Sequence, residues 1–298
     1  MNTNLELYKV FYTVATQQSV TAASEFLCVS QPAVSQAVRQ LEEKLGVRLF
    51  DRNPRGMSLT KTGKTLFHFI EQAYHLIDKG EKQLADISGL SLGEIHISAG
   101  DTICRKLLLP VIQRFHRKYP GIKMHVTNRT SSQTVELLRS GKIDMGIVSL
   151  PVEIPEIRTE IIHSVHDTFV CSSDLKAEIP EPATLEDISR FPLLFLEEGT
   201  ITRVSQEAQF IKRGLFVKPE IELGSLDLLV DFAKIGMGIA CVPREFYARE
   251  IETGEVLEIS MKEYPATRQF GAAYRNDIPL TELQRTFLEY LHSDDMNA

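Results

Sequence analysis

Ser19-Val20-Thr21-Ala22-Ala23-Ser24-Glu25-Phe26-Leu27-Cys28-Val29-Ser30-Gln31-Pro32-Ala33-Val34-Ser35-Gln36-Ala37-Val38-Arg39-Gln40-Leu41-Glu42-Glu43-Lys44-Leu45-Gly46 reads as two short helices and the turn between them. Ser19 and Thr21 are capping types ahead of a short helix, Thr21 to Leu27, whose Ala22-Ala23 pair lets a neighbour approach closely. Cys28-Val29 makes a tight turn. Ser30 is then a good N-cap, and Pro32 falls in the first helical turn, where a missing N–H costs nothing. The second helix runs from Gln31 to about Leu45 with Val34, Val38, Leu41 and Leu45 inward, and Gly46 is a fitting C-cap. Gln31, Ser35, Gln36 and Arg39 fall on its outer side. This is the helix-turn-helix pattern, which places the start of its second helix in a DNA major groove. Glutamine pairs there with adenine edges, arginine with guanine, and serine with bases or phosphate.

Working outward, Leu5, Tyr8, Phe11, Tyr12 and Ala15 recur at helical spacing, predicting a first helix over Leu5 to Gln17. Beyond Gly46, Phe50-Asp51-Arg52 and Met57-Ser58-Leu59 read as short strands around the turn Asn53-Pro54-Arg55-Gly56, a wing with a basic tip. The residues expected at DNA are therefore Ser30, Gln31, Pro32, Ser35, Gln36, Arg39, Arg52 and Arg55. Charge agrees once the chain is divided. The total is -7, but residues 1–65 carry eight Lys/Arg against five Asp/Glu, a local +3, leaving -10 for the remainder. Local charge governs attraction to phosphate.

The same residues carry a family resemblance. Ala22-Ala23, Val29 to Ser35, Leu41-Glu42, Leu45-Gly46, Leu49-Phe50-Asp51-Arg52, Leu59-Thr60 and Thr62-Gly63 resemble the LysR-type transcriptional regulators, densely over Leu5 to Gly63. From Leu66 apolar positions step by four and three through Ile70, Ala73, Ile77, Gly80, Leu84 and Ile87, the period of a two-helix seam weakened at Gly80. The resemblance implies that this helix pairs two DNA-binding domains, with Leu66, Ile70, Ala73, Ile77 and Leu84 at the contact. Ser88-Gly89-Leu90-Ser91 reads as a hinge.

From Gly93 strand and helix patterns alternate in the rhythm of a mainly parallel sheet. Expected strands include 95–99, 123–127, 145–148, 169–171, 193–195, 220–223, 239–242 and 269–274, and expected helices 103–119, 133–139, 204–212, 226–235 and 281–291. Leu108-Leu109-Pro110, Tyr119-Pro120 and Gly236-Met237-Gly238-Ile239 resemble the family's effector domain, which implies two α/β lobes like a periplasmic solute-binding protein with the ligand between them. The organisation expected is a winged helix-turn-helix over 1–60, a linker and dimerisation helix over 61–88, and an effector domain over 89–298, with lobe I about 91–160 and 267–298 and lobe II about 161–266. Ligands of parallel sheets collect beyond the carboxyl ends of the strands, where helix N-termini present free N–H groups. Turns of that kind supply Asp101, Thr102, Ser131, Ser132, Thr200, Thr202, Arg203 and Ser225, with Arg203 placed to pair a carboxylate. The expected effector is small and polar or anionic. The resemblance further implies a homodimer or homotetramer and a contact with RNA polymerase.

Other classes fare poorly. No G-x-S-x-G elbow, phosphate-binding G-x-x-x-x-G-K or H-E-x-x-H is present, so no enzyme, cofactor or metal is expected. His163 and His166, with Cys171 beyond, read as surface histidines. No apolar run is long enough to span a bilayer and the start lacks a secretory pattern, which predicts a cytoplasmic chain with no membrane partner. A solute-binding protein on the same scaffold leaves residues 1–65 unexplained. Cys28, Cys104, Cys171 and Cys241 form no C-x-x-C pair, and the remaining alternative is a thiol sensor working through Cys104.

Overall fold

The computed structural model describes residues 3–53, 56–85, 93–263 and 267–293, without the side chains of 52–53, 78–79 and 82–85. The chain forms two compact units, Met1–Ala85 and Asp86–Ala298.

The first unit is α1 (Leu5–Gln17), α2 (Val20–Phe26), α3 (Gln31–Leu45), the hairpin β1 (Phe50–Asn53) and β2 (Gly56–Leu59), and the long α4 (Lys61–Ala85). Ser19 Oγ accepts from Ala22 N at 3.2 Å, so Ser19 is the cap and α2 begins one residue before the expected Thr21. Cys28 takes the left-handed conformation at φ 53° to make the turn, and Gly46 does so at φ 67° to end α3. Phe11, Val14, Ala23, Val34, Val38, Leu41 and Leu49 form one core. Leu45, expected inward, is 36% exposed, because the last turn of α3 runs past that core. Glu42 Oε1 accepts from Leu49 N (2.7 Å) and Phe50 N (3.2 Å), tying α3 to the hairpin. At the start of α4 a Cβ on Gly63 would stand 2.0 Å from the Leu49 carbonyl oxygen, so only glycine lets this helix dock so closely.

The second unit opens with β3 (Gly93–Ala99), then α5 (Asp101–Ile103), a π-helical turn at Cys104–Leu108 and α6 (Leu109–Lys118), where one helix was expected. β4 (Ile122–Asn128), α7 (Ser131–Arg139), β5 (Met145–Ser149) and β6 (Ile157–Cys171) follow. Next come α8 (Ser173–Lys176), α9 (Leu185–Ile188), β7 (Leu193–Leu196), α10 (Ile201–Ile211), β8 (Ile221–Leu223), α11 (Leu226–Lys234) and β9 (Ile239–Pro243). α12 (Ala248–Glu252), β10 (Leu257–Glu258), β11 (Thr267–Arg275) and α13 (Glu282–His292) close the unit.

The strands run in the order β4-β3-β5-β11-β6-β9-β7-β8, with β10 also on β6. β3 is parallel to β4 and β5, and β7 is parallel to β8 and β9. β11 and β6 pair antiparallel from Thr267↔His166 to Arg275↔Ile157, and β6 then continues to pair β9. These two strands therefore belong to both α/β lobes. One core extends from Ile95, Ile97, Phe115 and Phe287 to Val170, Leu229 and Ala240, while a second around Phe169, Phe195, Phe210 and Ile259 fills the other lobe. Strand ends and helix starts from both halves of the sheet meet at one place.

Candidate functional site

Two surfaces stand out. On the first unit, Gln31, Pro32, Gln36 and Arg39 are exposed along one side of α3, and Ser35 is half-buried beside them. Ser19, Val20 and Thr21 at the start of α2, with Gly56 and Met57 of the hairpin, complete a shallow groove around Gln31, Pro32 and Ser35. Met57 N donates to Gln18 O at 3.0 Å, and a Cβ on Gly56 would lie 2.6 Å from that oxygen, so the hairpin sits tight against the α1–α2 turn. Ser30 is the N-cap of α3, its Oγ accepting from Ala33 N at 3.4 Å. The side chains of Gln31, Gln36 and Arg39 make no hydrogen bond or ion pair with any described residue. Arg55 and the Arg52 side chain lie outside the described residues.

On the second unit a cavity of about 110 Å³ opens where β3, β7 and β9 end. Asp101, Thr102, Ser131, Ser132, Thr200 and Thr202 all line it. Ser225 is not among the lining residues, although its neighbours Gly224 and Leu226 are. Several of the hydroxyls already have work within the fold. Ser131 Oγ accepts from Ser149 N at 3.0 Å, and Thr200 Oγ1 accepts from Arg203 N at 3.2 Å as the cap of α10. Asp101 Oδ1 accepts from Asn128 Nδ2 at 3.1 Å.

Arg203, expected at the cavity, does not line it. Its side chain is buried, donates Nη1 to Leu196 O at 2.8 Å, pairs through Nε with Glu207 at 2.7 Å and lies over the Phe195 ring. On the first turn of α10 its long side chain folds back along the helix and into the lobe, away from the cavity. The cation at the cavity is Arg268, at the start of β11. Its Nε and Nη2 donate to the two oxygens of buried Asp167 at 2.6 and 2.7 Å, and Nη1 donates to Thr202 Oγ1 at 2.9 Å. Leu196, Pro243, Phe246 and Phe270 supply apolar wall, with Phe246 stacked on Phe270 at 5.5 Å. Sequence reading missed all five of these residues, since the long-range pairing of strands, with the helical turn Arg244–Tyr247 after β9 for Phe246, is what brings them to the cavity. Arg268 alone left a trace, as a cation at the edge of an expected strand.

Two family models match the chain: "Bacterial regulatory helix-turn-helix protein, lysR family" over residues 5–64 and "LysR substrate binding domain" over residues 88–295. The chain belongs to the LysR family of transcriptional regulators. Similar proteins include the RuBisCO operon transcriptional regulator of Allochromatium vinosum, 27% identical over 99% of this chain and 97% of that one. The transcriptional activator CmpR of Synechocystis is 26% identical over 99% and 96%. Among solved structures, a full-length OxyR variant of Pseudomonas aeruginosa superposes with a TM-score of 0.73 at 19% identity, covering 99% of this chain and 97% of that chain. CbnR in complex with its target DNA gives 0.66 at 18%, covering 97% and 99%. At such identities the structures show the fold, a helix-turn-helix unit followed by a two-lobed effector domain.

In this LysR-family regulator the thiol-sensor alternative meets opposing chemistry. Burial, and then the Asp101 carboxylate, push the Cys104 thiol up, whereas a peroxide-reactive cysteine needs a depressed pKa. Cys171 is buried, in the core of the other lobe, with its thiol pushed up to about 11, chiefly by burial. His163 stacks on Phe246 and His166 pairs with Glu245, so neither meets Cys171. The linker helix also departs from expectation. Leu66 and Ile70 pack on the regulator's own helix-turn-helix core, as does Phe67, which stacks on Tyr12 at 5.6 Å. Phe69, Ala73, Leu76 and Ile77 are exposed. The exposed stripe is therefore Phe69, Ala73, Leu76, Ile77 and Gly80: it keeps Ala73, Ile77 and Gly80 of the expected seam, while Leu66 and Ile70 turn home and Phe69 and Leu76 join it. The Leu84 side chain and the hinge at 88–91 lie outside the described residues. No described helix is long and apolar enough to cross a membrane.

Proposed function

We propose that the chain reads an operator with the exposed face of α3 and that a small polar or anionic molecule in the cavity controls the outcome. The observation that carries this is the uncommitted Gln31, Gln36 and Arg39 row, which has hydrogen-bonding groups and no described internal partner to spend them on. Gln31, Ser35, Gln36 and Arg39 read base edges in the major groove, while Ser30, Pro32 and the N-terminus of α3 fix the approach to phosphate. Arg52 and Arg55 of the wing supply further phosphate or minor-groove contact.

Within the effector domain, Thr102, Ser131, Ser132, Thr200 and Thr202 offer hydroxyls and first-turn N–H groups from helices that start at the cavity, with Asp101 beside them. Arg268, held by Asp167, takes the part expected of Arg203. Two chains pair through the exposed stripe of α4, so two half-sites are bound together and affinity multiplies. Assembly to a tetramer, contact with RNA polymerase and a cytoplasmic location follow the family pattern. The boundaries 1–60, 61–88 and 89–298 delimit the parts with these roles. The effector shifts the regulator between two arrangements only by its differential affinity for them.

The test is fluorescence anisotropy of the full chain on DNA from upstream of its own gene, against random DNA over a range of salt. Selective binding is expected. Gln31→Ala and Arg39→Ala should each remove about 1–3 kcal/mol of discrimination. Equal losses on operator and random DNA would make these residues phosphate anchors and defeat the assignment.

A further inference from the structure

Glu94 and His96 stand two apart on β3, so the pleat puts both side chains on the face opposite Ile95 and Ile97. His125 on β4 is the direct partner of His96 in the parallel ladder. The two imidazoles stack with centroids 4.5 Å apart and planes 8° from parallel. Glu94 Oε1 lies 3.8 Å from His96 Nε2, and Oε2 lies 3.6 Å from His125 Nε2. One ligand-type atom from each of the three residues lies within 4.8 Å of the other two.

The surroundings favour access. β4 is the edge of the sheet, and the three side chains are between 33% and 51% exposed. Further along the same face α7 closes over Ser98, whose hydroxyl meets Thr134 at 2.8 Å. Asp144 fixes the His96 backbone from the other side, its Oδ2 accepting from His96 N at 2.8 Å.

We propose that Glu94, His96 and His125 form a binding site for a divalent transition-metal cation, with Zn²⁺ as the reference occupant. Two imidazole nitrogens and a carboxylate oxygen are a donor set that suits zinc, and three protein ligands leave a fourth position for water. Tetrahedral bonds of 2.0–2.2 Å put neighbouring ligand atoms about 3.3–3.6 Å apart. The observed 3.6 and 3.8 Å need at most a few tenths of an ångström of contraction, and the two stacked rings, with ligand atoms within 4.8 Å, must turn out of parallel to aim both nitrogens at one ion. Both separations are too long for good hydrogen bonds, so neither ring is held to the carboxylate by one. Mg²⁺ demands near-octahedral oxygen ligands and is a poor match. The site is separate from the effector cavity. Gly100, which lines that cavity, is four residues beyond His96 and six beyond Glu94, roughly 13–20 Å at strand rise. An occupant would pin the edge strand β4 to β3 and needs nothing from the proposed effector.

The experiment uses the full-length protein, stripped of metal and titrated with ZnCl₂ against a chromogenic chelator. Wild type should take up one Zn²⁺ per chain with micromolar or stronger affinity. His96→Ala and His125→Ala should each weaken that binding by about tenfold or more, with Glu94→Gln reducing it less. His116→Ala, an exposed histidine on α6, should change nothing. Co²⁺ provides a second reading: the visible bands of tetrahedral cobalt should appear in wild type and vanish in His125→Ala. Unchanged zinc stoichiometry and affinity in the His96→Ala/His125→Ala double variant would overturn the assignment. So would a wild-type chain that binds no zinc at about 100 µM, well beyond the expected range. Melting temperatures in chelator that match wild type would show that the variants lost ligands and not their fold.

Discussion

The two units treat their polar side chains in opposite ways. Along α3, Gln31, Gln36 and Arg39 point outward with no described partner. In the cavity, Ser131, Thr200, Thr202, Asp101 and Arg268 are all bonded to the protein itself. A surface of the first kind gains whole hydrogen bonds when a ligand arrives, less those it makes to water. A cavity of the second kind must exchange bonds or use lone pairs and N–H groups left over. At the proposed DNA face, affinity is therefore set by what the target supplies. Affinity in the cavity is set by how little the ligand disturbs, which favours a small molecule of closely matched shape.

Four substitutions sharpen or break this contrast. The largest effect is expected for Arg268→Ala, which leaves the buried Asp167 carboxylate without its cation. Breaking a buried pair costs about 3–5 kcal/mol, to be read from urea unfolding followed by circular dichroism. A loss comparable to a surface substitution would mean that the pair does not hold the cavity together. Next comes Gly63→Ala, whose Cβ would meet the Leu49 oxygen at 2.0 Å. Overpacking of this kind costs about 1–3 kcal/mol and should weaken DNA binding while leaving ligand binding by the effector domain intact. Loss of both together would show that the two units do not respond separately.

Ser30→Ala should remove the α3 cap for about 1 kcal/mol, lowering affinity for operator and random DNA alike. A selective loss on operator would move Ser30 into base reading. The smallest effect belongs to Gly80→Ala on α4, where a Cβ meets nothing within 4 Å. It should stabilise the helix by up to about 1 kcal/mol in a thermal melt. If sedimentation shows weaker self-association instead, Gly80 lies at a contact with a second chain that has no room for a methyl group.

The helix-turn-helix was legible almost residue by residue, because its signals are local. Ser30, Pro32 and Gly46 mark the ends of α3 through capping chemistry, and Val34, Val38 and Leu41 mark its buried side through period. Several residues that carry the family likeness have visible jobs: Glu42 accepts two backbone N–H groups of the hairpin, and Gly63 admits the Leu49 carbonyl. Period alone could not say that the first two residues of the expected seam on α4, Leu66 and Ile70, face home while Ala73, Ile77 and Gly80 stay exposed. Only the packing of Leu66 and Ile70 on the core decides it. The cavity was half legible for a related reason. Its Ser and Thr residues sit at helix starts that sequence marks, whereas Arg268 and Phe270 reach it through strand pairings across the chain and Phe246 from the helical turn after β9. Arg203, at a helix start, was the cation expected at the cavity, but burial sends its guanidinium to Glu207 and Leu196. The strand β6, expected only at its last residues, begins at Ile157 because β11 pairs along its first part.

That pairing has a mechanical side. β6 and β11 pass from one lobe to the other inside a continuous ladder whose register shifts at Phe270/Gly271, beside the cavity. Two loops in that position would make a free pivot. Two hydrogen-bonded strands make a flexure instead: compliant in twist, stiff in extension and shear, and returning to one rest angle when unloaded. Travel in such a joint is short and spring-like, so a ligand sets a displacement against a restoring force and the stroke scales with how firmly the ligand pulls.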